Sequence, residues 1–297
     1  MELNTNSIAA IIVTFNRKAL LKEAIDALLV THTKLDEIIV VDNCSTDGTD
    51  VLLREYSDKI TPIFLKENVG GAGGFNAGLK YAYEKKHTLF WVMDDDTIVE
   101  IDALDKLMNK YNLLDKENVG FLCSNVLWTD KTPCIMNKPD IAEDFNEKLA
   151  EGIVKVKSCS FVSILITRNA IKQCGYPIKE FFIWMDDTEF TLRVNKKFNN
   201  YLVPDSIVIH KMGANVGTNF INDNTRLERY FYDFRNRFYL AKKQGVKFII
   251  KYYINLIRVI FGIISKSEEN KIKKIKIALH GAFKGILFNP KIEDAKN

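Results

Sequence analysis

Three consecutive carboxylates, Asp94, Asp95 and Asp96, follow the apolar run of residues 89–93. Like charges this close repel one another and weaken a fold unless a cation lies among them. A hard divalent metal ion is the natural candidate, because carboxylate oxygens are its preferred ligands. A solvated acidic turn after a strand is the alternative, so the triplet alone leaves both interpretations open.

A second acidic group follows an aromatic residue. Trp184 precedes Asp186, Asp187 and Glu189 at the start of a helix predicted over residues 186–198. These carboxylates could simply favour the positive end of the helix dipole. An aromatic wall can instead raise the pKa of one carboxyl group and make it a proton acceptor suited to neutral pH. A transferase that activates an acceptor hydroxyl needs such a base.

His210 ends a strand predicted over residues 201–210. A lone histidine more often has a structural role. Together with the Asp94 to Asp96 triplet, however, it would complete a mixed oxygen and nitrogen site that suits Mn²⁺ or Mg²⁺. Each observation strengthens the metal interpretation of the other.

Strand and helix patterns alternate four times in the first part of the chain. Continuous apolar runs at 8–15 and 37–42 are typical of strands buried on both faces of a parallel sheet. The pattern predicts an α/β fold with a doubly wound parallel sheet, whose ligands bind at the carboxyl ends of its strands. Polar segments follow all four strands and would converge there, although polar loops also cluster by chance: Thr14 to Arg17, Asp42-Asn43, Asn68 to Gly74, and Asp94 to Asp96.

The glycine-rich segment 68–75 does not fit a dinucleotide fingerprint, because a G-x-G-x-x-G pattern begun at Gly71 meets Asn76 at its last position. It also follows the third strand instead of the first, and no Walker lysine comes after it. We interpret it as a flexible segment that lets the backbone approach a sugar or a diphosphate, with a plain turn as the alternative.

The net charge of +4 is concentrated in the tail: residues 241–297 contain 13 Lys and Arg against 4 Asp and Glu, a net of +9, which leaves −5 for residues 1–240. We therefore expect a catalytic domain over 1–240 and basic amphipathic helices over 241–297. The five cysteines form no C-x-x-C pair, and residues 1–4 lack the pattern of a signal peptide. A reduced, cytoplasmic protein is expected.

Residues 247–266 place a narrow polar stripe on an otherwise apolar helix. Charges interrupt this run, which argues against a membrane-spanning helix. Together with the lysines of 271–276, the stripe favours an anionic membrane surface. Packing on the catalytic domain or in a homo-oligomer is the alternative. The surface is too apolar for a phosphate-binding face, so no nucleic-acid partner is expected.

Several motifs, taken in order, resemble an inverting glycosyltransferase of family 2 with the GT-A fold: residues 11–17, residues 40–49 and the Asp94 to Asp96 triplet. Others are similar to bacterial galactofuranosyltransferases and their rhamnosyltransferase relatives: residues 68–75, 184–189 and 230–239, and His210-Lys211. The resemblance spans residues 8–240, and motifs that keep their order are more specific together than singly.

The resemblance implies a role for each matching residue. Asp94 and Asp96 would bind Mn²⁺ or Mg²⁺ with His210, and Asp187 would be the general base. Trp184, Asp186 and Glu189 would contact the acceptor, although Met185 separates Trp184 from the Asp pair, a departure from the galactofuranosyltransferases. The nucleotide and donor sugar would bind a larger set: Thr14, Arg17, Asp42, Asn43, Asn68, Gly70, Gly71, Asp94 and Asp95.

The resemblance also implies the reaction, a single displacement that moves galactofuranose from UDP-galactofuranose to a lipid-linked bacterial polysaccharide at the inner face of the cytoplasmic membrane. dTDP-rhamnose is the alternative donor. A sugar-nucleotide-binding protein without turnover is a further alternative, which the combination of Asp187 with His210 disfavours. A nucleotidyltransferase would need a glycine-rich loop after the first strand, and Thr14 to Arg17 contains no glycine.

Overall fold

The computed structural model describes residues 6–296, so the prediction made from residues 1–4 lies outside the described part. Its first half alternates strand and helix as predicted. Strands β1, β2, β3 and β4 are parallel to their neighbours and lie in the order β3-β2-β1-β4. These elements are β1 (Ile8–Thr14), α1 (Lys18–Leu29), β2 (Glu37–Asp42), α2 (Thr49–Glu55), β3 (Thr61–Phe64), α3 (Gly70–Glu84) and β4 (Leu89–Asp94).

The second half makes the sheet mixed instead of wholly parallel. Strand β9 lies antiparallel between β4 and β6, and β10 then pairs in parallel with β6, so the full order is β3-β2-β1-β4-β9-β6-β10-β8-β7, with β5 on β10. The elements are β5 (Thr97–Val99), α4 (Ala103–Leu113), β6 (Val119–Leu127), β7 (Asp140–Ile141), β8 (Val154–Ser158), β9 (Ile164–Thr167), α5 (Arg168–Cys174), α6 (Asp186–Asn195) and β10 (Asn199–His210).

Two hydrophobic cores lie on opposite faces of the sheet. Successive residues of β1 alternate between them, with Ile8, Ala10 and Ile12 in one core and Ile11 and Val13 in the other. Because both faces are covered, the strand needs no polar positions, which explains its continuous apolar run. The sheet therefore determines where the chain segments that follow β1, β4 and β10 begin.

Helix α3 begins at Gly70, whereas the sequence pattern favoured a flexible segment or a turn over residues 68–75. The glycines here serve close packing. Gly70 has φ of +74°, and a Cβ atom built on it would lie 2.0 Å from the carbonyl oxygen of Phe182. A Cβ atom on Gly74 would lie 2.4 Å from Val13 Cγ1. The segment therefore brings α3 against β1 and against the chain that precedes α6.

A C-terminal helical unit follows β10 and consists of α7 (Leu227–Gln244), α8 (Val246–Lys266) and α9 (Lys271–Leu287). The three helices share one core, in which Phe234 and Phe238 of α7 meet Tyr252 and Leu256 of α8 and Ala278 of α9. The expected boundary between residues 240 and 241 falls inside α7. The end of the chain then returns to the sheet domain, where the backbone N–H of Tyr176 donates to the Glu293 carbonyl at 2.9 Å.

Helix α8 is long and apolar enough to cross a membrane, judged by length and composition alone. Its most apolar 18-residue window has a mean hydropathy of 1.6 and is 17% buried. The sequence-based prediction was that charged residues interrupt this helix too often for it to span a membrane. By length and composition, however, the helix meets the requirement for a span. Many core helices of globular proteins meet the same criterion, but most of α8 is exposed.

Candidate active site

A cleft of about 530 Å³ opens at the carboxyl ends of the central strands. It brings together predicted residues from five separate parts of the chain: Arg17, Gly71, Asp94, Asp95, Asp96, Trp184, Asp186, Asp187 and His210. The remaining predicted residues do not line it: Thr14, Asp42, Asn43, Asn68, Gly70 and Glu189. The convergence expected from the strand order is thus present for Arg17, Gly71 and the Asp94 to Asp96 triplet, whereas Asp42, Asn43 and Asn68 lie outside the cleft lining.

Asp94, Asp96 and His210 form a compact group whose potential ligand atoms all lie within 4.8 Å of one another. Asp94 ends β4, and His210 ends β10 as the register partner of Thr97 in β5. The short turn from Asp94 to Thr97 therefore carries the carboxylates directly to the histidine. Two carboxylate oxygens and an imidazole nitrogen form a donor set that fits Mn²⁺ or Mg²⁺.

The His210 ring is held by hydrogen bonds at both nitrogens. Nδ1 lies 2.8 Å from Asn137 Oδ1, and Nε2 lies 2.9 Å from Asp96 Oδ1. Because an amide oxygen only accepts, Nδ1 carries a proton, and Nε2 is the nitrogen that a metal would take. Asn137 is thus the residue that orients the imidazole, and no sequence pattern indicated it because it comes from a 3₁₀ turn in an irregular segment.

Burial and neighbouring charges shift the pKa of every carboxyl group in the triplet. Burial, with the nearby charge of Asp96, raises the pKa of Asp94 to about 7. Burial also raises the pKa of Asp95 to about 6, against the opposing effect of Arg17. For His210, burial disfavours the charged ring, but the hydrogen bonds to Asp96 and Cys134 and the charges of Asp96 and Asp94 together outweigh it and raise the pKa to about 10. Without a metal ion, a proton on His210 therefore offsets the negative charge of Asp94 and Asp96.

Arg17 and Thr14 hold Asp95 and Asp96 from the side of β1. The guanidinium Nη1 lies 3.1 Å from Asp95 Oδ1 and 2.5 Å from Asp96 Oδ2. The Thr14 hydroxyl donates to Asp95 Oδ2 at 2.8 Å. Both oxygens of Asp95 are therefore engaged within the protein, and its predicted contact with the donor remains a prediction.

Asn43 and Asn68 hold the chain at the start of α3, and Asp42 holds the turn that follows β2. The Asn43 amide donates to the Gly70 carbonyl at 2.8 Å and accepts from the Val69 N–H at 2.9 Å. Asn68 Oδ1 accepts from the Gly70 N–H at 2.8 Å, and Asp42 Oδ1 accepts from Ser45 N–H at 3.0 Å. These contacts give the residues a local structural role, while their predicted contact with a nucleotide is not tested by them.

Asp186 and Asp187 occupy the first turn of α6 on the far side of the cleft. Burial raises the pKa of both carboxyl groups, and their mutual repulsion adds to the rise at Asp186. Thr188 donates to Asp187 Oδ1 through its N–H at 2.6 Å and its hydroxyl at 3.2 Å. Among residues 6–296 no hydrogen bond reaches Asp187 Oδ2, so this oxygen is available to accept a proton from a ligand.

Glu189 does not line the cleft with Asp186 and Asp187. It forms a buried ion pair with Arg193, one helical turn further along α6. Its oxygens accept from Arg193 Nε at 2.9 Å and Nη2 at 2.8 Å, and the same guanidinium donates to the Tyr176 carbonyl at 3.1 Å. The structure thus places Glu189 in the support of α6, and its predicted acceptor contact stays a prediction.

Sequence reasoning missed a basic wall of the cleft that comes from α7 and the residue before it. Arg226, Arg229, Asp233 and Arg237 all line the cleft. Their spacing of three or four residues puts them on one helix face, which is the signal that could have found them. Asp233 pairs with Arg237 at 2.8 Å, whereas no acidic group in the described part of the chain pairs with Arg229. Burial and the charges of Arg17 and Arg226 lower its pKa.

Solved structures of glycosyltransferases share this fold. The mannosyltransferase PcManGT of Pyrobaculum calidifontis, solved with GDP-Man and Mn²⁺, matches with a TM-score of 0.59 at 14% identity over 95% of this chain and 88% of its own. S. aureus TarS 1-349, solved with UDP-GlcNAc, matches with a TM-score of 0.56 at 14% identity over 95% and 73%. The α/β fold of the GT-A type predicted from the resemblance is confirmed.

The sequence model of glycosyl transferase family 2 matches residues 9–158, and the chain belongs to this family. Among similar proteins, the galactofuranosyltransferase GlfT1 of Mycolicibacterium smegmatis is 24% identical over 82% of this chain and 86% of its own length. The dTDP-rhamnosyl transferase RfbF of Shigella flexneri is 27% identical over 96% of both chains. The prediction of a transferase enzyme is therefore confirmed.

Proposed function

We propose that this glycosyltransferase is metal-dependent and inverts the configuration of the sugar it transfers. The observation that carries the proposal is the meeting of two acidic groups in one cleft: Asp94, Asp96 and His210 on one wall, Asp186 and Asp187 on the other. Bound Mn²⁺ or Mg²⁺ would neutralise the negative charge of the departing diphosphate. A metal group for the departing diphosphate and a separate carboxylate for the acceptor proton are what a single displacement requires.

The protein's own groups supply the rest of the reaction. Asp187 accepts the proton of the acceptor hydroxyl through Oδ2, and that hydroxyl oxygen forms a bond with the anomeric carbon. The bond from this carbon to the diphosphate oxygen breaks on the opposite face, and its electron pair leaves with the diphosphate. Arg229, together with Arg226, which pairs with Asp223 at 2.7 Å, places guanidinium groups at the cleft that suit the anionic leaving group. Asp186 and Trp184 border the acceptor.

The donor is UDP-galactofuranose in this proposal, and the acceptor is a lipid-linked bacterial polysaccharide. The similarity to galactofuranosyltransferases over 82% of the chain supports this assignment. A second donor, dTDP-rhamnose, is favoured by the dTDP-rhamnosyl transferase that matches 96% of the chain. Both donors present a nucleoside diphosphate to the same metal group, so the choice between them depends on the sugar and base contacts.

A screen of purified protein with Mn²⁺ tests the donor assignment. UDP-galactofuranose and dTDP-rhamnose are compared with UDP-glucose and GDP-mannose, with thermal shift and nucleotide release as readouts. Release of UDP from UDP-galactofuranose at the highest rate supports the first donor, and release of dTDP at the highest rate selects the second. If none of the four sugar nucleotides binds, the proposal is wrong.

The basic helices α8 and α9 place the enzyme, in this proposal, on the inner face of the cytoplasmic membrane. Together they contain nine Lys and Arg residues and no Asp or Glu. Large apolar side chains between these cations are exposed, including Ile257 at 53%, Phe261 at 67% and Ile272 at 73%. Exposed apolar surface flanked by cations suits an anionic lipid surface. It would bring a lipid-linked acceptor close to the cleft.

Point substitutions test this placement better than deletion of the tail, because α8 and α9 share a core with α7. We expect Lys247→Glu, Lys251→Glu and Lys276→Glu together to abolish co-sedimentation with vesicles of anionic lipid. A matched triple change at exposed lysines of the sheet domain, Lys85, Lys86 and Lys116, should leave it intact. Equal binding of both triple variants contradicts the proposal.

Two further measurements separate the alternatives. Protein that high salt releases from vesicles lies on the surface, whereas protein that resists both salt and alkaline extraction has α8 inserted as a span. A stable dimer in light scattering, lost on Ile257→Ser with Phe261→Ser, would mean that a second copy covers the apolar face instead.

A further inference from the structure

The chain immediately before the two aspartates has an unusual backbone. Phe182, Trp184 and Met185 have φ of 64°, 64° and 66°, in the left-handed region that side chains other than glycine rarely adopt. Residues held there persist only when their surroundings fix them. Three such residues within four positions lead directly into Asp186. We call residues 181–185 the approach segment.

Asn236 of α7 supplies much of what fixes the approach segment. Its side chain is 0% exposed, and Nδ2 lies 3.0 Å from the carbonyl oxygen of Phe181, 3.1 Å from that of Ile183 and 2.8 Å from that of Trp184. An amide has two hydrogens, so the three carbonyls share two donors. No other residue type of this size presents two hydrogens from one nitrogen.

Arg235, the preceding residue, fixes the amide in turn. Its Nε donates to Asn236 Oδ1 at 2.9 Å, which determines which end of the amide faces the approach segment. Its Nη2 donates to the carbonyls of Glu180 at 2.6 Å and Phe181 at 3.0 Å. Two adjacent residues of α7 therefore engage four carbonyl groups in the chain that leads to the aspartates.

The other side of the approach segment rests on the start of α3. The Phe182 carbonyl accepts from the Ala72 N–H at 3.1 Å, and Gly70 leaves room for it. The segment is thus held between α3, which borders the predicted donor side, and α7. Among the described residues, 6–296, only α7 contacts it through side-chain donors, so α7 is where a single substitution can release it without changing α3.

We infer that Asn236 is a positioning residue for the transfer reaction: it fixes the backbone of the approach segment so that Asp186 and Asp187 face the cleft. The inference rests on the proposed function and adds to it. Within residues 6–296, the Asn236 side chain makes no hydrogen bond to the metal group or to a side chain of the basic wall, and it acts through the backbone of another segment. A displacement of the base by about 1 Å can lower turnover roughly 100-fold without affecting donor binding.

Asn236→Asp is the sharpest variant, because it keeps the shape of the side chain and turns a donor toward three carbonyl oxygens into an acceptor. Asn200→Asp is the matched control. Asn200 is also 0% exposed and its Oδ1 accepts from the Phe121 N–H at 3.1 Å, but it lies at the opposite end of β10 from His210. That places it on the order of 30 Å from the metal group.

We expect Asn236→Asp to lower kcat by about 100-fold or more, to shift the acidic limb of the pH profile of kcat, and to leave the Kd of the nucleoside diphosphate within about twofold. Asn200→Asp should lower the thermal midpoint but keep kcat within about twofold where it is folded. If Asn236→Asp is folded and keeps kcat within about threefold, or if it loses nucleotide binding in proportion to kcat, the inference is wrong.

Two additions keep the test decisive. If Asn236→Asp does not fold, Arg235→Lys is measured the same way, since it keeps the charge but removes the Nε donor to the Asn236 amide. Amide hydrogen exchange of residues 181–188 gives a readout independent of the sugar, and we expect faster exchange there in either variant but not in Asn200→Asp. Unchanged exchange overturns the inference, whereas a wild-type protein that transfers no sugar overturns only the proposed function.

Discussion

His210 Nε2 lies 2.9 Å from Asp96 Oδ1, although 114 positions separate the two residues along the chain. The contact exists because β5 pairs with the end of β10, which turns the Asp94 to Asp96 triplet toward the histidine. We expect His210→Gln to weaken Mn²⁺ binding strongly and Asn137→Leu to weaken it by about 10- to 100-fold, since Asn137 orients the ring. Calorimetric titration without nucleotide measures both.

The exposed histidine His32, which pairs with Asp105, offers a control for that titration. His32→Gln should bind Mn²⁺ as the wild type does. Equal Mn²⁺ affinity in the wild type and His210→Gln would show that His210 Nε2 does not bind the metal ion.

The pH dependence of the metal-free protein follows from the raised pKa of His210. The folded-state pKa is about 10 and the ordinary value is 6.5, so the stabilisation is present below pH 6.5 and is lost as pH rises toward 10. We expect the urea midpoint of the metal-free wild type to fall across this window more than that of His210→Gln. Mn²⁺ competes with the same proton, so its affinity should rise over the same range. A midpoint with no difference between the two proteins would contradict this.

Asp187→Asn removes the proposed proton acceptor and keeps the side-chain shape. We expect kcat to fall by about 100-fold or more while the nucleoside diphosphate still binds, because general base catalysis contributes on that scale. Since burial raises the pKa of Asp187, wild-type kcat should fall as pH drops through a value above the ordinary carboxyl range. Steady-state rates and nucleotide titration check both points, with the exposed Asp58→Asn as control. An active Asp187→Asn enzyme would show that another residue is the general base.

Glu189 separates two possible roles. Its buried pair with Arg193 predicts that Glu189→Gln destabilises the fold, by about 3–5 kcal/mol if the arginine is left uncompensated. An acceptor contact, as the resemblance implies, predicts instead a raised acceptor KM with little change in stability. Urea unfolding and acceptor kinetics on the same preparation distinguish them, and we expect the loss of stability.

Arg229 has no acidic partner in residues 6–296 and lines the cleft near Arg17 and Arg226. We expect Arg229→Gln to weaken nucleoside diphosphate binding by about 10- to 100-fold, the scale of one charge-assisted hydrogen bond. The exposed arginine of α2, Arg54, gives the matched control as Arg54→Gln. Unchanged nucleoside diphosphate affinity in Arg229→Gln would show that Arg229 does not contact the diphosphate.

The acidic part of the site could be predicted from the sequence because local patterns determine it. Apolar runs that end in Asp94 and in His210 are buried strands, and parallel strands bring their carboxyl ends to one edge. The start of α6 at Asp186 was predicted from its acidic first turn, and the structure begins the helix at that residue. These features depend on period and on residue type, which a single sequence contains.

The remaining features depend on contacts between distant segments. The helical start at Gly70 is set by the Phe182 carbonyl, and β9 makes the sheet mixed through pairing with β4 and β6. Asn236 looks like any polar residue of a helix until the carbonyls of Phe181 to Trp184 are placed beside it. No local pattern contains these distant partners, so none of the three features could have been predicted from the sequence alone.

The central claim is metal-dependent sugar transfer in the cleft between His210 and Asp187. The most direct measurement is UDP release from UDP-galactofuranose by the purified enzyme with a lipid-linked acceptor, with Mn²⁺ and then with excess EDTA. We predict release that depends on acceptor, stops with EDTA, returns with added Mn²⁺ and is abolished in Asp187→Asn. Release that continues unchanged in EDTA, or in the Asp187→Asn variant, would contradict the account.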